Sequence, residues 1–113
     1  MAIGEMARTM TDKNTTVEVQ GLVFRCKTGE VYAGGQTVQL TKTEFRLLYF
    51  LAAHAGETFA RQQLIEAVHG ADYPATDRSV DGQVVGLRKK LGNHGRLIEA
   101  VRGVGYRFTV GGN

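Results

Sequence analysis

DRSVDGQVVGLRKKLG, residues 77–92, is the stretch whose reading decides the fold. Val80, Val84, Leu87 and Leu91 recur at helical intervals. At about 100° per residue they fall on one line, so the segment reads as a helix with a single apolar stripe. Thr76 or Asp77 caps its start and Gly92 marks its end. The opposite face carries Arg78, Gly82, Val85 and Lys89, with Ser79 and Gly86 nearby and Arg88 and Lys90 flanking it. A helix with one apolar stripe buries one side and keeps the other for solvent or a partner. Gly82 and Gly86 each cost roughly 1 kcal/mol relative to alanine inside a helix. Either tertiary packing overrides that penalty, or the bare backbone admits a close partner.

The next stretch, RLIEAVRGVGYRFTV (residues 96–110), changes period. Leu97, Ile98, Ala100 and Val101 lead into Arg102-Gly103-Val104-Gly105, and Tyr106, Phe108 and Val110 lead out. Alternation around a glycine-rich turn predicts a β-hairpin. Tyr106 and Phe108 share one face and are expected to pack on the helix before them. Arg102 stands where the strand meets the tip. A half-buried helix beside an arginine-tipped hairpin is what a major-groove reader with a minor-groove wing requires.

Upstream, Thr41-Lys42-Thr43-Glu44 is a capping-box sequence, and Phe45, Leu48, Tyr49, Leu51 and Ala52 follow at helical spacing. Leu47 and Phe50 are apolar too, so this helix is expected to be buried on more than one side and to centre the core. Thr58-Phe59 reads as a short extended link. A second helix spans Arg61 to Val68, with Leu64, Ile65 and Val68 inward and a weak cap at Ala60. Residues 71–76, with the sole proline Pro74, form a loop. Earlier still, Val17 to Leu40 reads as a meander of about four short strands, with turns at Thr28-Gly29 and Gly34-Gly35. The predicted organisation is a flexible lead or linker at 1–16, one domain at 17–110 and a tail at 111–113.

The chain has 113 residues, enough for one domain with a single core. A net charge of +3 is only mildly basic, but its distribution is uneven. Arg78, Arg88, Lys89, Lys90, Arg96, Arg102 and Arg107 all lie in the last third. Clustered cations suit a polyanion, although a solvated charged face would look the same. Cys26 is the only cysteine, so no intrachain disulfide forms, which suits a reducing cytoplasm. No apolar run is long enough to span a membrane, and the N-terminus lacks the apolar segment of a secretory signal. His54, His69 and His94 lie in unrelated elements, so no metal site, catalytic constellation or cofactor is expected.

Taken in order, the strings LTKTEFRLL (40–48), RQQL (61–64), DRSVD (77–81), LRKKLG (87–92) and VRGVGYRF (101–108) resemble the effector domain of OmpR/PhoB-type response regulators. VEVQGL (17–22) is similar to the PhoB end of that family. The resemblance implies an α+β winged helix-turn-helix: an N-terminal four-stranded antiparallel sheet, a three-helix core and a C-terminal β-hairpin wing. It implies binding of double-stranded DNA to regulate transcription, as a monomer in solution and a head-to-tail dimer on DNA. By position, Arg78 and Arg88 match phosphate or base contacts, Arg61 a backbone contact and Arg102 the minor-groove wing. Gln83, Val85 and Lys89 are the further candidate readers. The loop at 69–77 matches a segment that touches RNA polymerase. Gln83 stands where the family usually has His, Val85 and Gly86 replace polar readers, Ala100 replaces Thr and His69 replaces Trp.

The expected whole is the effector half of a longer regulator whose receiver domain lies elsewhere in that protein. A stand-alone protein and the cytoplasmic part of a membrane-anchored regulator are the alternatives. On the functional side, two other readings remain beside site-specific DNA binding. One is a winged helix used as a protein-interaction module. The other is non-specific nucleic-acid binding, in which phosphate contacts survive without base readout.

Overall fold

Apolar residues recurring between Val17 and Val38 mark four short strands, each too narrow to be stable alone. In the computed structural model, which describes residues 16–70 and 77–109, these strands are β1 (Thr16–Val19), β2 (Leu22–Arg25), β3 (Glu30–Ala33) and β4 (Gln36–Val38). They form one antiparallel sheet in sequence order, with Val17 opposite Phe24 and Phe24 opposite Val31. Two-residue turns join β1 to β2 and β3 to β4. In both, the central residues have positive φ: Gln20 and Gly21 in the first, Gly34 and Gly35 in the second. That conformation matches the right-handed twist of the flanking strands, and glycine adopts it without steric penalty.

The sheet buries Val17, Val19, Leu22, Phe24 and Val31 against α1 (Lys42–Ala53). The Phe24 ring meets Phe45 and Tyr49 edge-on, at centroid distances of 6.0 and 5.4 Å. The capping box at the start of α1 is complete. Glu44 N–H donates to Thr41 Oγ1 at 3.1 Å, and Thr41 N–H donates to Glu44 Oε1 at 3.0 Å. At the other end His54 Nδ1 lies 2.9 Å from the Phe50 carbonyl, and its ring packs beside Phe50 and Phe59.

Helix α2 (Arg61–His69) turns Leu64, Ile65 and Val68 inward, as their spacing predicts. Ala60 has no capping side chain, and Gln63 Oε1 accepts from Ala60 N–H at 2.7 Å instead. Helix α3 spans Asp77–Leu91 and leads through a 3₁₀ segment, Gly92–Leu97, into β6 and β7. Within that segment the His94 imidazole packs beneath the Gly21 and Gly34 turns, tying the N-terminal sheet to the far end of α3.

The wing is larger than the hairpin expected. Strands β6 (Ile98–Val101) and β7 (Gly105–Phe108) pair as predicted, but β5 (Thr58–Ala60) pairs with the other edge of β7. The stretch read as an extended link at Thr58-Phe59 is therefore a strand of a three-stranded sheet. Gly105, expected to close the wing turn, belongs to β7. A Cβ there would collide with the Phe59 carbonyl, so only glycine lets β5 approach. The lead at 1–15, the loop residues 71–76 with the Thr76 cap, and Val110 with the tail lie outside the described residues.

Glu44 also accepts from Lys90 Nζ at 2.7 Å, joining the start of α1 to the end of α3. Burial pushes its carboxyl up, but the Lys90 ammonium and the Thr41 amide outweigh that, and its pKa lies below the ordinary value. A carboxylate depressed in the folded state contributes stability above its unfolded value, near pH 4.3, and loses it as pH falls through the folded value. The stability advantage of the wild type over Glu44→Gln is therefore full at pH 7 and shrinks below about pH 4.3, which thermal unfolding across pH will show.

Candidate nucleic-acid interface

The four stripe residues of α3 are all buried: Val80, Val84, Leu87 and Leu91. Burial of that stripe sorts the rest of the helix into three lines. One flank faces the wing and carries Asp81 and Arg88. The other faces α1 and α2 and carries Gln83, Gly86 and Lys90. The line between them points away from the core, with Arg78, Gly82, Val85 and Lys89 exposed in succession.

Each flank is tethered by side chains. On the wing side, Arg61 Nε donates to Asp81 Oδ1 at 2.6 Å, and the Tyr106 hydroxyl donates to the same oxygen at 2.7 Å. The Arg61 guanidinium carbon also lies 5.5 Å from the centre of the Tyr106 ring, within cation–π range. The hydrogen bonds from Arg61 and then Tyr106 hold the Asp81 carboxyl below its ordinary range. Burial, followed by the Asp81 carboxylate, raises the Tyr106 phenol. One acid thus joins the first residue of α2, the second turn of α3 and the central strand of the wing. Further along, Arg88 donates from Nε (3.1 Å) and Nη2 (2.6 Å) to the Ile98 carbonyl, fixing the start of β6 to the helix. On the other flank Lys90 binds Glu44, and Gln83 sits in the seam beside Leu47, Leu64 and Val68.

These placements divide the residues singled out from the sequence. Arg78, Val85 and Lys89 stand together on the outward line of α3. Gln83 is half-buried on the α1–α2 flank. Arg61 and Arg88 lie on the wing flank and spend part of their donor set inside the molecule. Arginine has five N–H groups, so Arg88 keeps three beyond its bonds to Ile98, and Arg61 keeps those not turned to Asp81 and Tyr106. Arg102 occupies the turn that joins β6 to β7. Val104 N–H donates to the Val101 carbonyl at 2.9 Å, and Gly103, third in that turn, has φ 78°. This is the position at which a type II turn needs glycine. Arg102 is exposed beside the apolar Val104, itself 48% exposed. Lys89 and Arg102 form no ion pair among the described residues.

One feature of α3 differs from the sequence reading. Gly86 is expected near the outward face, but a Cβ there would lie 3.2 Å from Glu44 Oε2, so it faces α1. Gly82 has open space around it. The tethers were not singled out from the sequence. Their signal was Asp81, the one acid beyond the first residue of a basic helix, set apart from the outward line. Among the described residues no group of three or more His, Cys, Asp and Glu side chains could hold a metal. No helix there is long and apolar enough to cross a membrane.

Comparison with known proteins agrees with this architecture. Residues 35–108 match the family model described as "Transcriptional regulatory protein, C terminal". The phosphate regulon transcriptional regulatory protein PhoB of Escherichia coli is 39% identical over 96 residues, covering 83% of this chain and 42% of that protein. The transcriptional regulatory protein VxrB of Vibrio cholerae is 42% identical over 97 residues, covering 86% of this chain and 39% of that protein. The chain thus spans about two-fifths of the length of these curated relatives. Among solved structures, the DNA-binding domain of CpxR from Escherichia coli superposes with a TM-score of 0.71 at 37% identity, covering 83% of this chain and 95% of that one. The Klebsiella pneumoniae RstA DNA-binding domain in complex with the RstA box gives 0.72 at 35% identity, covering 83% and 96%.

Replacement of Tyr106 by Phe removes one hydrogen bond to a carboxylate and leaves the ring in place. Because Asp81 is partly exposed, a loss of about 1 kcal/mol is expected. Urea unfolding should show a lower midpoint with an unchanged slope.

Proposed function

The chain belongs to the family of transcriptional regulatory protein C-terminal domains of the OmpR/PhoB response-regulator type, and from that membership we propose that it binds double-stranded DNA to regulate transcription. Helix α3 enters the major groove with its outward line toward the bases, and Arg102 enters the adjacent minor groove. Arg78 and Lys89 bracket the line as phosphate or base contacts. Val85 meets base edges, Gln83 reaches them from the flank, and Arg61 and Arg88 meet the backbone with the N–H groups not spent internally. Two copies bind head to tail on a direct repeat, while the domain alone is a monomer. In the longer protein a receiver domain controls this half, and the 69–77 segment touches RNA polymerase.

One observation carries the reading. The outward line of α3 is exposed, has a cation near each end, and stands beside a wing turn that presents Arg102. Asp81, Tyr106 and Arg88 hold helix and wing as one unit. A rigid pair of basic projections fits the two grooves of a duplex better than it fits a single flat partner. Basic side chains continue beside β6, where Arg88 of α3, Arg96 and Arg107 line an open groove together with Glu99.

Selection of the purified domain against a randomised duplex library at near-physiological salt tests the reading. Enrichment of a motif repeated at about one helical turn is expected. Absence of retained duplex would overturn DNA binding, and retention without enrichment would leave only backbone contacts. On the enriched duplex, affinity should fall steeply with salt, because each neutralised phosphate releases counterions. Arg102→Ala should weaken binding and lower the salt slope by about one. Equal affinity of the two proteins at low salt would remove Arg102 from the interface.

A further inference from the structure

We propose that Val85 recognises the C5-methyl group of a thymine, so that the centre of the outward line of α3 reads DNA by apolar contact, with hydrogen bonding to bases left to the flank. The inference rests on the DNA-binding reading above and specifies its chemistry. Val85 is 61% exposed, one of two large apolar side chains that stand out from the described surface. Its neighbour one turn earlier, Gly82, has no side chain, and a Cβ there would meet nothing within 4 Å. Internal packing therefore does not require glycine at that position, and the bare backbone lets the helix sit close to a partner.

Between Arg78 and Lys89, the groups that could read bases by hydrogen bonding lie off the outward line. Asp81 is held by Arg61 and Tyr106, Lys90 by Glu44, and two donor groups of Arg88 by the Ile98 carbonyl. Gln83 lies in the seam with α1 and α2. Between Arg78 and Lys89 the line offers only Gly82 and Val85, a span of roughly 16 Å at 1.5 Å per residue. The flanking cations suit phosphates, which position the helix without carrying sequence information. Across the major groove only thymine presents a methyl group. Guanine presents acceptors at O6 and N7, and cytosine an amino group. An isopropyl group over those polar edges would strip water from them without replacing its hydrogen bonds, which disfavours them. Over thymine it buries a methyl.

The test uses the duplex obtained by selection, with each thymine replaced in turn by deoxyuridine, which removes the methyl and keeps the pairing. Affinity is measured for the wild type and for Val85→Ala. The side chain is exposed, so its loss should leave the thermal midpoint unchanged, and that midpoint is measured alongside. One thymine should stand out, at which loss of the methyl weakens the wild type about fourfold, the factor expected for burying one methyl-sized group. Val85→Ala should bind the two duplexes equally. If no thymine shows this effect, or if both proteins lose affinity alike, the Val85 assignment is overturned while selective duplex binding stands. If no duplex is retained at all, the DNA-binding reading fails and this inference fails with it, whereas retention without enrichment overturns this inference alone and leaves backbone binding.

Discussion

The apolar stripe of α3 is the constraint on which the rest depends. Val80, Val84, Leu87 and Leu91 are each at most 5% exposed, and full burial of such side chains stabilises by about 1.5–3 kcal/mol apiece. No other rotation of the helix hides all four. Once they are hidden, Arg78, Gly82, Val85 and Lys89 must point outward, whatever else the chain does. Hydrophobic burial is non-directional, so it leaves tilt and slide to be settled by polar contacts. Asp81, Arg88 and Lys90 settle them, two toward the wing and one toward α1. A core requirement thereby becomes the shape of a surface.

The same division explains why charge counts say little about this domain. The last third is rich in cations, yet Arg88, Lys90 and Arg107 bind the Ile98 carbonyl, Glu44 and Glu99 respectively. Such contacts on partly exposed side chains contribute modestly to stability, and their main effect is to fix which basic groups remain outward. Arg78, Lys89 and Arg102 are those that project from the helix and the wing turn.

Much of the fold was legible because its signals are local. The capping box at Thr41 and Glu44 needs only four residues, and the stripes of α1, α2 and α3 need only a period. The pairing of β5 with β7 was not legible. Thr58–Ala60 is three residues long, too short for alternation to show, and its partner lies more than forty residues away. Gly105 was read as turn chemistry for the same reason, since its need for glycine comes from the Phe59 carbonyl across the sheet. In the candidate interface, the outward line of α3 followed from the stripe alone. The tethers did not, because Arg61, Asp81 and Tyr106 are distant in sequence and each reads singly as an ordinary surface residue. Gly86 shows the same limit, as its neighbour Glu44 belongs to another helix.

The central claim is that the outward line of α3 and the wing turn form one DNA-contacting surface. Mapping amide chemical shifts of the domain during titration with its selected duplex tests this most directly. The account predicts that the largest changes fall on Arg78, Gly82, Val85 and Lys89 and on the turn from Arg102 to Val104, with β1–β4 little affected. Changes confined to the N-terminal sheet, with α3 and the wing turn unmoved, would contradict it.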